Sequence, residues 1–207
     1  IAEKQWQQLQ YEFEPVEIKG GFQNVIYSGM GGSALAALLA KTWPGYSLPF
    51  EVSRRYDIPA WASEKTLFIA SSYSGNTEET LEALAAAEKK GVKVAVIAGG
   101  GKLADIAKDK NYPILLLPQV GQPRYAVFYS LKALATLLQS AGLLQGIDAV
   151  NDLNKADEFV RDSAEPWLPT VAQKDNPAKK LANELAGKSI VLYAGPQMSP
   201  AAYKWKI

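Results

Sequence analysis

The sequence predicts an α/β protein built on a doubly wound, parallel, five-stranded sheet that is flanked by helices. Strand-like and helix-like segments alternate through residues 21–145, and the loops between them are short. The strand-like segments are continuously apolar, as in Val94–Ile97, and this is what strands buried on both faces of a sheet require. Alternation of this kind with short connections is typical of doubly wound sheets.

Nine elements make up this predicted domain. The predicted strands are mostly apolar runs: Asn24–Ser28, Pro49–Ser53, Thr66–Ala70, Val92–Ala98 and Tyr112–Leu117. The helices follow four of these strands and are amphipathic or largely apolar: Ala34–Lys41, Thr77–Lys90, Leu103–Lys108 and Tyr125–Ala141.

Three further segments flank the domain. Residues 1–20 are predicted to be an N-terminal helical segment, and residues 146–187 a helical connector that is broken near its prolines. The segment Val191–Gly195 resembles Val25–Gly29, so residues 188–207 are predicted to contain the first strand of a truncated second domain of the same kind. Because the sequence begins with Ile1 and stops shortly after this strand, both ends are expected to be cuts in a longer protein.

Composition narrows the classes of function. The chain has 207 residues and a net charge of +1, which favours neither nucleic acid nor an acidic membrane as a partner. It contains neither cysteine nor histidine, so zinc sites of the usual ligands are excluded and any general acid or base must be Glu, Asp, Lys or Tyr. We expect no metal and no membrane segment, and the absence of a signal-like N-terminus predicts a cytoplasmic protein.

The motif richest in chemistry is Ser71–Thr80, which follows a buried strand and opens a helix. Ser72, Ser74 and Thr77 supply three hydroxyls within six residues, and Gly75 allows close approach of the backbone. Unsatisfied amides and the positive end of the helix dipole make such a position an anion site. The alternative is an ordinary N-cap, which needs only one hydroxyl. The excess of hydroxyls favours a phosphate-binding loop.

A second loop between strand and helix is Gly29–Ala34, and three interpretations of it remain open. Gly29, Gly31 and Ala34 match a loose dinucleotide fingerprint, with Glu51 at about the distance of a ribose-binding acid; a tight structural turn is also possible. A nicotinamide fold gives no reason for the second, hydroxyl-rich loop. A small phosphosugar held between two loops explains both.

Gly99–Lys102 is similar to the end of a nucleotide-binding P-loop. Leu103 stands where the Ser or Thr of such a loop is needed, and Val96 where the upstream glycine is needed. The sequence therefore predicts a simple turn here and not a nucleotide-binding loop.

Arg124 lies where a loop ends and the helix Tyr125–Ala141 begins. A positive side chain is unfavourable near a helix N-terminus, which indicates an anionic partner, although a surface arginine is equally consistent with the sequence.

These motifs together resemble the sugar isomerase (SIS) domain, a flavodoxin-like fold, and within it the bifunctional phosphoglucose/phosphomannose isomerases. The resemblance rests on the serine loop Ser72–Thr80, the glycine loop Gly29–Ser33 and the segment Pro123–Tyr125, and it covers about residues 22–144. It implies an isomerase of hexose 6-phosphates that needs no cofactor and acts as a homodimer, and it assigns residues 21–145 to the phosphosugar-binding domain.

The resemblance also implies roles for individual residues. Ser72, Ser74 and Thr77 would bind the substrate phosphate. The sugar would contact Gly31, Gly32 and Ser33, and Arg124 would be catalytic, facing the carbons between which the proton moves. The family's catalytic glutamate and ring-opening histidine lie in the region of the second domain, and no residue of this sequence matches either. The alternatives are a non-catalytic SIS module that senses a sugar phosphate and, on the glycine fingerprint alone, an NADP-dependent oxidoreductase.

Overall fold

The computed structural model describes residues 2–43 and 45–206, so Ile1 and Ile207, the ends of the two predicted terminal segments, lie outside the described residues. Its centre is a parallel five-stranded sheet in the order β2-β1-β3-β4-β5. The strands are β1 Asn24–Ser28, β2 Phe50–Ser53, β3 Thr66–Ser72, β4 Lys93–Ala98 and β5 Ile114–Leu116. The predicted α/β fold with a doubly wound parallel sheet is confirmed.

Seven α-helices accompany the sheet in the described residues: α1 Gly31–Ala40, α2 Glu78–Lys89, α3 Gly101–Asp109, α4 Val127–Ser140, α5 Ala149–Ala164, α6 Pro177–Leu185 and α7 Ser199–Lys206. Short 3-10 helices span Ala2–Gln10, Pro123–Tyr125 and Glu165–Trp167. Pro177 begins α6, where its missing amide donor costs nothing, and does not break a helix there. Among these described residues no helix is long and apolar enough to cross a membrane.

The core has one layer on each face of the sheet, because successive side chains of a strand point to opposite faces. On one face Val25 and Tyr27 of β1 belong to an apolar cluster that includes α1 and α4. On the other face Ile26 and Phe68 belong to a cluster with α2 and α3. All seven residues of β3 are buried, as the central strand of a covered sheet requires.

The N-terminal 3-10 helix packs on α4 and α5 through Leu9, which is buried. The side chain of Gln8 donates to the main-chain oxygen of Tyr125 at 2.6 Å and accepts from the amide of Tyr129 at 3.3 Å. Nearby, the fully buried ammonium of Lys132 donates to the Leu9 carbonyl at 2.7 Å. The start of the chain is therefore anchored to the helix that follows Arg124.

The predicted strand Ser189–Ala194 is not a strand in the structure. A strand forms only where a neighbour accepts and donates its ladder hydrogen bonds, and among the described residues no strand is paired with this segment. Its apolar side chains are largely exposed, with Val191 at 69% and Tyr193 at 94%. The likeness of Val191–Gly195 to β1 was a wrong guide to its conformation here, and the division into domains stays a prediction.

Beyond this segment the chain returns to the sheet domain. Helix α7 packs against α1, with Pro200 buried. The end of the described chain therefore lies beside the helix that follows the glycine loop.

Candidate functional site

The two loops singled out in the sequence lie side by side at the carboxyl edge of the sheet. Strands β1 and β3 are neighbours, with Ser28 paired to Ala70 near their ends. From β1 the chain continues to β2 on one side, whereas β3, β4 and β5 follow on the other side. Ligands of doubly wound proteins bind in the crevice at such a reversal of strand order. The crevice here is bounded by the glycine loop after β1 and the serine loop after β3.

The serine loop is organised around the hydroxyl of Ser72. This oxygen lies 2.7 Å from Thr77 Oγ1 and 3.3 Å from Ser74 Oγ, and it accepts the amide of Gly75 at 3.0 Å. Ser72 is 1% exposed, whereas Ser74 is exposed and Thr77 half-buried. The structure brings the three predicted phosphate-binding hydroxyls together, with Ser72 as the buried member, Thr77 half-buried against it and Ser74 exposed.

Helix α2 begins immediately after this loop without a side-chain cap. Thr77 is the N-cap residue, yet its side chain makes no capping hydrogen bond to the helix and lies instead against the Ser72 hydroxyl. The ordinary N-cap predicted as the alternative is therefore not the arrangement present. The first amides of α2 are therefore not capped by a side chain, and together with the positive end of the helix dipole they make a favourable position for a phosphate.

The serine loop is locked against the start of α3, a contact that the sequence did not indicate. A Cβ on Gly75, whose φ is +70°, would lie 1.7 Å from the Gly100 carbonyl oxygen, so only glycine fits there. The Leu103 amide donates to Gly75 O at 2.9 Å, and the Lys102 amide donates to Asn76 Oδ1 at 3.2 Å. The segment Gly99–Lys102, predicted to be a simple turn, thus supports the loop, and its last two residues are the start of α3.

The glycine loop is joined to the serine loop by Ser33. The hydroxyl of Ser33 accepts the amide of Tyr73 at 3.1 Å, and its carbonyl oxygen accepts from the Tyr27 hydroxyl at 2.7 Å. Ser33 is buried, whereas Gly31 and Gly32 are half-buried at the crevice. Ser33 therefore connects the two loops.

Arg124 belongs to the 3-10 turn Pro123–Tyr125, which lies against the glycine loop. A Cβ on Gly32 would meet the main-chain carbon of Pro123 at 3.0 Å and the amide nitrogen of Arg124 at 3.1 Å. The exposed guanidinium lies over the Tyr125 ring, 5.3 Å from its centroid. The structure therefore places the Arg124 turn beside the glycine loop.

Carboxylates near the site belong to the first turn of α2. The pKa of the exposed Tyr56, which follows β2, is raised first by the charge of Glu79, then by burial and by Glu78. These two acids therefore lie near enough to Tyr56 for their charges to act on it. In the described part of the chain no cluster of His, Cys, Asp or Glu has the arrangement of a metal site.

Comparison with known proteins identifies relatives of the chain. No protein-family model matches it. The bifunctional phosphoglucose/phosphomannose isomerase of Caldicellulosiruptor bescii is 36% identical over 185 residues, which are 88% of this chain and 54% of that protein. The D-glucosamine-6-phosphate 4-epimerase of Sulfolobus acidocaldarius is 32% identical over 186 residues, 89% of this chain and 55% of that protein. The chain spans about half the length of these curated relatives.

The fold is also found in solved structures. A candidate phosphosugar isomerase of Bacillus subtilis superposes with a TM-score of 0.68 at 21% identity, covering 99% of this chain and 62% of that one. At this identity the likeness concerns the fold. Together with the sequence relatives, it confirms the resemblance on which the sequence analysis relied. The chain has the sugar isomerase (SIS) fold and is homologous, over most of its own length, to the bifunctional phosphoglucose/phosphomannose isomerases.

Proposed function

We propose that this chain is the substrate-binding part of an aldose–ketose isomerase that interconverts glucose 6-phosphate or mannose 6-phosphate with fructose 6-phosphate. The observation that carries the proposal is the uncapped N-terminus of α2, framed by the hydroxyls of Ser72, Ser74 and Thr77 at the reversal of strand order. The homologues named phosphoglucose/phosphomannose isomerase support the hexose phosphate as the ligand.

In the proposed complex the phosphate is bound by the hydroxyls of Ser74 and Thr77 and by the first amides of α2. A phosphate there complements the helix dipole, and charge-assisted hydrogen bonds to it are stronger than neutral ones. The sugar lies along Gly31 and Gly32. A Cβ on Gly31 would meet nothing within 4 Å, which leaves room for a ligand, whereas Gly32 allows the Arg124 turn to approach the glycine loop. Arg124 is then at the far end of the sugar from the phosphate.

Isomerisation requires that the open-chain sugar lose a proton from C2 of the aldose or C1 of the ketose and gain one at the neighbouring carbon. The intermediate is an enediolate, and the guanidinium of Arg124 stabilises its developing negative charge. Arginine stays protonated and so does not move the proton itself. The resemblance assigns proton transfer to a glutamate and ring opening to a histidine of the second-domain region, and this sequence contains no histidine. We therefore expect the chain alone to bind the sugar phosphate with little or no turnover.

A second candidate is the recognition of a 6-phosphorylated amino sugar for epimerisation. It is favoured by the 32% identity to a D-glucosamine-6-phosphate 4-epimerase, which is close to the identity shared with the isomerases. Both candidates use the same phosphate site and differ at the sugar. The relative affinities for fructose 6-phosphate and glucosamine 6-phosphate distinguish them, because isomerase substrates should bind more tightly if the first proposal is correct.

Thermal denaturation with added ligand tests the proposed function. At about 100 times its Kd a ligand stabilises the folded state by about 2.7 kcal/mol, which for a chain of this size raises Tm by roughly 5–10 °C. Fructose 6-phosphate should produce this shift and NADPH should not. The reverse result would favour the oxidoreductase alternative and exclude a phosphosugar site.

The variant Ser74→Ala locates the phosphate. Loss of one hydrogen bond to a charged group costs about 1.5–3 kcal/mol, so fructose 6-phosphate should bind roughly 10- to 150-fold more weakly. Ser140→Ala, an exposed serine at the end of α4, is the matched control and should bind normally. Isothermal titration calorimetry measures both. Unchanged affinity of the Ser74 variant would remove the phosphate from this loop.

A further inference from the structure

Helix α7 contacts the Arg124 turn through Lys204. The ammonium of Lys204 donates a hydrogen bond to the main-chain oxygen of Arg124, eighty positions earlier in the chain. The neighbouring Tyr203 ring lies under the guanidinium of Arg54, 4.9 Å from ring centroid to Cζ. Two consecutive residues of α7 thus touch two basic residues at the carboxyl edge of the sheet.

The surroundings of Lys204 are positively charged. Its pKa is lowered first by burial and then by the charge of Arg124. Helix α1, on which α7 packs, has no titratable side chain, and Arg54 approaches α7 at the Tyr203 ring. The other basic residue of α7, Lys206, is exposed. In the part of the chain that the structure describes, none of these cations forms an ion pair with a carboxylate.

We propose that Lys204 is a positioning residue for Arg124, which it holds against the glycine loop through its hydrogen bond to the Arg124 carbonyl, and that its charge strengthens the binding of an anionic sugar. This inference rests on the proposed function, because it takes Arg124 to face the sugar. The turn Pro123–Tyr125 already contacts Gly32 on one side. Lys204 contacts the same turn from the side of α7, so the backbone that carries the Arg124 guanidinium is held on two sides.

Binding and protonation are coupled at this position. A bound anion stabilises the ammonium form of Lys204 and raises its pKa back toward the ordinary value of about 10.5. The protonated protein therefore binds the sugar phosphate more tightly than the deprotonated one. As pH rises toward 10.5, the affinity should fall, and the fall should depend on Lys204 because Arg54 and Arg124 do not titrate in this range.

Three variants test the proposal in titrations with fructose 6-phosphate between pH 7.5 and 9.5. Lys204→Met keeps most of the aliphatic stem but removes the hydrogen-bond donor and the charge. We expect this variant to bind roughly three- to tenfold more weakly at pH 7.5, which is the range of one lost hydrogen bond. Its affinity should not fall further as pH rises. Lys204→Arg keeps a donor and a permanent charge, so it should bind at pH 7.5 within about twofold of the parent chain and also lose the alkaline fall. Lys206→Met is the matched control on the same helix and should behave like the parent chain.

The outcomes separate this inference from the proposed function. If Ser74→Ala weakens binding and Lys204→Met leaves both affinity and pH profile unchanged, the role of Lys204 is overturned and the phosphate site stands. If the parent chain does not bind fructose 6-phosphate, the proposed function fails and the inference fails with it. Circular dichroism checks folding, and should the Met variant be unfolded, the Arg variant decides: a retained alkaline fall would overturn the proposal.

Discussion

Replacement of Gly75 by alanine should damage the serine loop far more than an equivalent replacement elsewhere. Two costs add at this position. Its φ of +70° lies in the left-handed region, where a side chain costs about 1–2 kcal/mol. The new Cβ would also lie 1.7 Å from the Gly100 oxygen, so the start of α3 must move by more than an ångström, and such overpacking costs about 1–3 kcal/mol.

Gly91, at the end of α2, is the matched control. Its φ is +68°, nearly the same as that of Gly75, but nothing lies within 4 Å of a Cβ built there. Gly91→Ala should therefore lose only the conformational part, about 1–2 kcal/mol, whereas Gly75→Ala should lose about 2–5 kcal/mol. In Tm these losses are roughly 2–8 °C and 4–20 °C for a chain of this size.

Urea denaturation followed by circular dichroism measures the free energy of unfolding of both variants. The excess loss in Gly75→Ala over Gly91→Ala isolates the contact between the serine loop and α3, because the backbone strain is common to both. An excess below about 0.5 kcal/mol would refute the close approach of Gly75 to Gly100 as a determinant of the loop.

Two further predictions concern stability away from the loop. Lys132→Met should lower the free energy of unfolding by about 1–3 kcal/mol in urea titrations, because it leaves buried acceptors, including the Leu9 carbonyl oxygen, without a donor. The control Lys155→Met changes an exposed lysine and should alter the free energy of unfolding by less than about 0.5 kcal/mol. Equal effects of the two variants would contradict the role of the buried ammonium. Burial, with the hydrogen bond and charge of Glu88, raises the pKa of Tyr112 to about 12. The folded state thus retains a proton that an unfolded tyrosine loses near pH 10, so the free energy of unfolding should fall as pH rises from 10 toward 12. In Tyr112→Phe this fall should be shallower. The same dependence of the free energy of unfolding on pH in both proteins would disprove the contribution of Tyr112.

The sheet was predictable because each of its strands can be recognised from its local sequence. Each buried strand is an apolar run, and a parallel sheet covered on both faces admits few other sequences. The end of β3 was placed two residues early, since Ser71 and Ser72 are polar. In the structure both continue the ladder, paired with Ile97 and Ala98. Hydrogen bonding of the backbone, to which a polar side chain is no obstacle, decided that boundary.

Contacts between residues far apart in the chain could not be predicted from the local sequence pattern. The serine loop, the glycine loop and the Arg124 turn each have a recognisable sequence, and the structure brings them together. The support of Gly75 by Gly100 and the bond from Lys204 to Arg124 join segments with no shared periodicity. The strand expected at Ser189–Ala194 failed for the complementary reason, because an apolar run forms a strand only when a partner strand lies beside it.

The hydroxyl of Ser33 has a consequence for how this protein can be altered. It ties the loop expected to receive the sugar to the backbone of the loop expected to receive the phosphate, 3.1 Å away at Tyr73. The two recognition elements are therefore not separable modules. A change made at the glycine loop to admit a different sugar will also alter the loop expected to bind the phosphate. Redesign of the sugar specificity therefore has to treat both loops as a single unit.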